Sequence, residues 1–164
     1  MNYHNILHDD MVNGEGLRVV LFVSGCDHHC EGCQNPQTWK VDSGIPFDEA
    51  AVNEIMNELE NPYIDGITFS GGDPLHPNNL PIVKKLCEDI KLKFENRKTI
   101  WLYTGYTIEE IIRSDELKDI LSYIDILVDG KFEKDKVDVY YCWAGSTNQR
   151  VINIKELNIG KKVE

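Results

Sequence analysis

The chain has 164 residues, 41% of them hydrophobic, and a formal net charge of −11. That length and apolar fraction suit one domain, residues 1–164, built round one core, whereas the acidic balance argues against DNA or RNA as a partner because phosphate binding needs a basic footprint. No run of about eighteen apolar residues is present to span a membrane, and the polar, acidic start MNYHNILHDD lacks the basic and apolar regions of a signal peptide, so a soluble cytoplasmic protein is expected.

The first predicted element is a strand over Leu17–Ser24, apolar and β-branched enough to be buried on both faces. A cysteine-rich loop follows it. Phe47, Ala51, Ile55 and Leu59 then recur at helical spacing, with Asp48 and Glu49 in the first turn where the helix dipole favours acids. Gly66–Ser70 reads as a second strand. Asn79–Phe94 reads as a second helix, with Pro81 tolerated in its first turn. Thr99–Thr104 is a third strand, Thr107–Ser114 and Glu116–Tyr123 are short helices, and Ile124–Gly130 is a fourth strand. Beyond Val137 the pattern weakens: Asp138–Gly145 reads as a last strand, Ser146–Leu157 continues it or forms a loop, and the tail from about residue 155 is expected to fray.

Strands alternating with helices imply an α/β fold with parallel pairing, and in such sheets ligands sit beyond the carboxyl ends of the strands. The cysteine loop follows the first predicted strand, GGDP the second, GYT the third and DGK the fourth. All four unusual segments are therefore expected at one rim, which is where an active site is predicted.

Cys26, Cys30 and Cys33 form a C-x3-C-x2-C cluster and are three of the five cysteines. An odd number of cysteines without an export signal favours metal binding or catalysis over disulfides. A zinc site needs a second pair of ligands; Cys142 is far away in sequence, Cys87 falls on a helix, and His28 and His29 lie inside the loop itself. Three thiolates on a [4Fe–4S] cube leave one iron open, which makes sense if chemistry happens there. Both readings, a zinc-binding adaptor and an iron–sulfur enzyme, stand at this point.

The C-x3-C-x2-C loop after a first strand, followed by GGDP after a second, resembles the radical S-adenosylmethionine (SAM) superfamily. More narrowly, VNGEGLRVVLFVSGC, TFSGGDPL, WLYTGY, ILVDGKF and GSTNQR, running from Val12 to Arg150, resemble the small activating proteins of anaerobic (class III) ribonucleotide reductases. Gln34 stands where that family often has histidine before Asn-Pro. The resemblance implies a partial (β/α) barrel with its core at about residues 12–150. It implies a [4Fe–4S] cluster on Cys26, Cys30 and Cys33 with one open iron, reductive cleavage of SAM to a 5′-deoxyadenosyl radical, and hydrogen abstraction from a glycine of the reductase large subunit. Gly71, Gly72, Asp73 and Pro74 are then expected at the methionine end of SAM, with Asp73 adding charge near its ammonium. Thr104 and Gly105 are expected to line the pocket, and Asp129 and Lys131 to meet the ribose or carboxylate. Asn13, Arg18, Asn148, Gln149 and Arg150 are the candidates for docking the partner. A low-potential electron donor such as flavodoxin is implied, a homodimer is compatible, and another glycyl-radical enzyme is the alternative target.

Overall fold

A computed structural model describes residues 1–157 of the chain. Strand β1 (Asn2–Asp10) opens it, followed by β2 (Arg18–Val23) and a two-residue strand β3 (Ile45–Pro46). Helix α1 (Glu49–Leu59) leads to β4 (Gly66–Gly71), α2 (Leu80–Phe94) to β5 (Thr99–Tyr103), and α3 (Ile108–Arg113) with a 3-10 turn (Lys118–Ser122) to β6 (Ile126–Asp129). The last strand is β7 (Arg150–Asn153). Together they form one seven-stranded sheet in the order β3-β1-β2-β4-β5-β6-β7, open between its two edge strands.

The four strands expected from their apolar runs are the parallel centre of this sheet. The helices between them form for the reasons legible in the sequence. Asp48 caps α1 by accepting the amide of Ala51 at 2.9 Å, and Ala51, Ile55 and Leu59 turn inward. Thr107 and Glu110 close a capping box on α3. Val19, Leu21 and Val23 of β2, Ile67 and Phe69 of β4, and Ile100 and Leu102 of β5 share one buried cluster with the helices. Period-two alternation sends Arg18, Thr68, Trp101 and Tyr103 to the opposite face. There, among the described residues, loops meet them: Thr68 donates to the carbonyl of Asn13 at 2.7 Å, and Tyr103 Oη to the carbonyl of Trp143 at 2.5 Å.

Both edges differ from the sequence expectation. β1 was not foreseen; it pairs antiparallel with β2, and only Ile6 is buried along it. Asp138–Gly145 is not a strand. Apart from an isolated bridge between Val137 and Ser146 it is a loop, and the closing strand is β7, antiparallel to β6. The tail expected to fray falls largely on residues 158–164, outside the described residues; within them, Ile154–Glu156 forms a 3-10 turn.

Candidate active site at the carboxyl rim

Because β2 and β4 are parallel neighbours in register to their last residues, Val23 beside Gly71, the loops that follow leave the sheet side by side. The first begins with Gly25 at φ +102°, a left-handed turn that costs a glycine nothing. Its amide donates to Thr38 O at 2.7 Å, and the amide of Cys26 donates to Trp39 O at 3.0 Å. The loop doubles back through Cys30 and Cys33, whose backbones are joined by a 3.1 Å hydrogen bond, and His29 stacks on Trp39 with ring centroids 4.5 Å apart. All three cysteines are free thiols lining one cavity. Burial pushes the Cys26 thiol up to about 11. Cys87 is buried in α2, where burial also raises its thiol, and Cys142 is exposed on the late loop. Neither lines the cavity.

The GGDP segment is the opposite wall. A Cβ on Gly71 would lie 2.6 Å from Val23 N, and one on Gly72 would lie 2.5 Å from Gly25 O. The amides of Gly72 and Asp73 donate to Val23 O at 2.7 Å and Gly25 O at 2.8 Å, clamping this turn to the start of the cysteine loop. Asn79 reinforces the clamp, its Nδ2 donating to Ser24 O at 2.8 Å and Asp73 O at 2.9 Å. The carboxylate of Asp73 is only 1% exposed and turns into the protein. It accepts from the amide of Leu75 (2.8 Å), the hydroxyl of Thr104 (2.9 Å), the amide of Gly105 (3.1 Å) and Nε2 of His28 (2.5 Å). Pro74 is buried behind it.

Thr104 and Gly105 line the cavity from the end of β5, together with Tyr103 and, from the end of β6, Gly130. Asp129 and Lys131 do not line it. As the last residue of β6, Asp129 directs its carboxylate to the first amide of α3, Ile108 N at 2.8 Å, and to Arg150 Nη2 at 2.6 Å. Lys131 is exposed, and its carbonyl accepts from Asn148 Nδ2 at 2.7 Å.

The residues expected at a docking mouth are placed differently. Arg18 is 1% exposed, and all its donors are used: on Thr68 Oγ1, on the carbonyls of Glu15, Ile67 and Thr99, and on Thr99 Oγ1, at 2.8–3.0 Å. Its guanidinium lies 5.5 Å from the Trp101 ring centroid, and burial lowers its pKa to about 10. It is an interior strut of the loop-covered face and has no free surface for a partner. Asn13 and Gln149 line the cavity. Asn148 and Gln149 fasten the late loop: Gln149 accepts from the amides of Gly145 and Ser146 and donates to Gly130 O at 3.0 Å. Arg150 is half-exposed and forks between Asp129 and Glu109, and this contact pulls the Glu109 carboxyl down to about 2.

Sequence reasoning missed His28, Trp39, Tyr103 and Asn79. Their advance signals were weak: His28 stood out only as a possible zinc ligand inside the loop, and Tyr103 only as one letter of WLYTGY.

Residues 12–152 match a family model described as a 4Fe-4S single cluster domain. Curated proteins called anaerobic ribonucleoside-triphosphate reductase-activating protein align over nearly the whole chain. That of Escherichia coli K12 is 45% identical over 157 residues, covering 94% of this chain and 100% of that protein. That of Pasteurella multocida is 45% identical over 151 residues, covering 91% and 95%. That of bacteriophage T4 is 45% identical over 151 residues, covering 92% and 93%. The chain belongs to this family of reductase-activating proteins. The match also decides between the two metal readings, since an iron–sulfur domain, rather than a zinc knuckle, spans the cysteine loop.

Proposed function

We propose that the chain is a radical SAM activase of partial-barrel type, and that it generates a glycyl radical on anaerobic ribonucleoside-triphosphate reductase. The observation that carries this reading is the convergence on one cavity of the three loop thiols, the Gly71–Asp73 turn and Thr104–Gly105, each delivered by the carboxyl end of a different parallel strand. The residues fit a cluster. Three unpaired thiols face the same space, and the indole Nε1–H of Trp39, whose ring lines that space, is buried without an acceptor. Cluster sulfur is an acceptor of the kind such a donor lacks.

Cys26, Cys30 and Cys33 would hold the [4Fe–4S] cluster and leave one iron open. A cluster held there would supply the electron for reductive cleavage of SAM, the chemistry from which a glycyl radical on the target would be generated. The chain's own residues bind, orient and exclude water. Gly71 and Gly72 present backbone instead of side chain to the cavity, so the polar methionine end of SAM can approach closely. Thr104 and Gly105 hold the Asp73 carboxylate and so fix the side of the pocket opposite the cysteines. Tyr103 and the late loop close the far side, its phenol held by Trp143 O. Asn13 and Arg150, both accessible, stay candidates for partner contact; a low-potential donor such as flavodoxin would supply the electron, and a homodimer is compatible.

The test is direct. Enzyme reconstituted without oxygen, SAM, a strong reductant and the reductase large subunit are mixed, and the glycyl radical is read by electron paramagnetic resonance. A radical that depends on SAM and on the three loop cysteines is expected. SAM cleavage without any glycyl radical on that subunit would overturn the choice of target.

A further inference from the structure

His28 is not one of the residues assigned to bind the cluster or SAM, yet its side chain is closely held in the cysteine loop. Its side chain is 9% exposed and that of Asp73 is 1% exposed, with Nε2 and Oδ2 2.5 Å apart. A carboxylate only accepts, so His28 donates through Nε2. The ring meets Tyr106 edge-on, centroids 4.7 Å apart. Its space exists because residue 105 is glycine: a Cβ there would lie 2.4 Å from Cδ2 of His28. Asp73 is thereby tied to the cysteine loop on both sides of Cys26, by its amide to Gly25 O and by its carboxylate to His28.

We propose that the His28–Asp73 pair is a positioning joint that sets the GGDP turn against the cysteine loop, so that SAM, gripped by both, is held in one geometry. The inference rests on the radical SAM reading above. Holding a cluster requires only the three thiols of one loop. Holding SAM requires two loops at a fixed separation, and a misplacement of about 1 Å in such a pair costs about a hundredfold in function. The joint therefore acts on SAM and leaves cluster assembly alone. His28 lines the same cavity, and in this role it works through Asp73, whose remaining bonds to Leu75, Thr104 and Gly105 anchor the turn to the end of β5.

The test compares His28→Leu, which keeps bulk but removes the donor, with His28→Gln, whose amide N–H still donates. Each is reconstituted anaerobically. Iron per chain is counted, SAM affinity is measured by calorimetry, and the reduced cluster's paramagnetic resonance spectrum is recorded with and without SAM. His28→Leu should carry wild-type iron, bind SAM at least about tenfold more weakly, and show a diminished spectral response to SAM. His28→Gln should recover most of both. Wild-type SAM affinity in His28→Leu overturns the joint. So does loss of iron in both variants, which would make the pair part of the cysteine loop's own fold. A wild-type spectrum indifferent to SAM sinks the radical SAM reading itself.

Discussion

Gly72→Ala tests whether the rim is packed as tightly as its backbone bonds suggest. The added Cβ would lie 2.5 Å from Gly25 O and 3.0 Å from both Gly25 C and Gly25 N, all backbone atoms that no rotamer can move. Ordinary contact needs about 3.4 Å, so one wall must retreat by nearly an ångström from Gly25 O. Overpacking of this kind costs about 1–3 kcal/mol. Straining the bond from Asp73 N to Gly25 O, 2.8 Å long, adds about 0.5–1.5 kcal/mol. A total of about 1.5–4.5 kcal/mol leaves a domain of ordinary stability folded but lowers its melting temperature by about 3–18 °C. The displaced wall is the residue before Cys26, so the cysteine loop moves with it. A Gly72 variant is therefore expected to lose iron as well as SAM, although glycine's evident job at a SAM turn would affect only SAM. The assay is iron per chain after anaerobic reconstitution, with thermal melting beside it. Gly130→Ala is the control: its φ is +92°, so alanine is strained there, but its Cβ would meet nothing closer than 3.8 Å, and iron should be retained. Wild-type iron and melting temperature in Gly72→Ala would refute the packing account.

Replacing Cys26, Cys30 or Cys33 with Ala should abolish cluster iron, while Cys142→Ala keeps the wild-type content; loss of iron in Cys142→Ala would indicate a fourth thiolate. In the native protein, a thiol-alkylating reagent should label exposed Cys142 readily and leave buried Cys87 untouched until denaturant is added, as mass spectrometry of peptides would show. Arg18→Met should destabilise the fold by about 2–4 kcal/mol in urea titration, because it strands the buried carbonyl of Ile67 and the part-buried carbonyls of Glu15 and Thr99 that the guanidinium now satisfies; unchanged stability combined with weaker reductase binding would restore it as a docking residue.

The central strands were legible because a strand buried on both faces leaves an almost unbroken apolar run, as in Val19–Val23, and the helices because their caps and apolar spacing agree. β1 was not legible for the complementary reason. It sits near the sheet edge with most side chains half-exposed, so His4, Asn5, His8 and Asp9 carry no strand pattern. Asp138–Gly145 misled in the other direction. Val139 and Tyr140 favour strands by type, yet they point to solvent, and the segment is held instead by Tyr141 Oη on Gln149 O and by Trp143 in a left-handed conformation, φ +68°. Spacing carried the cysteine loop and GGDP. It says nothing about which way a side chain turns, and so it could not show that Asp129 spends its carboxylate on Ile108 N and Arg150 and that Arg18 spends its donors inside the protein.

The glycines of the rim answer to two demands. Adjacent parallel strands run about 4.8 Å apart, and β2 and β4 end level, so the loops leaving them must pass one another at backbone contact before either can turn away. Side chains at Gly71 or Gly72 would enter the main chain of Val23 or Gly25, whatever ligand the cavity takes. Close approach of a ligand to the same backbone is then a by-product of this crossing. The strand geometry that brings the two loops together also strips both of side chains where a small polar molecule could reach their peptide groups. Asp73 follows at once in the chain, and it is the first residue past the crossing whose side chain has room to reach a third strand's loop, which it does through Thr104 and Gly105. The order Gly-Gly-Asp thus fits the packing of these three neighbouring parallel strands at this point, where Gly71 and Gly72 meet backbone and Asp73 reaches the third loop.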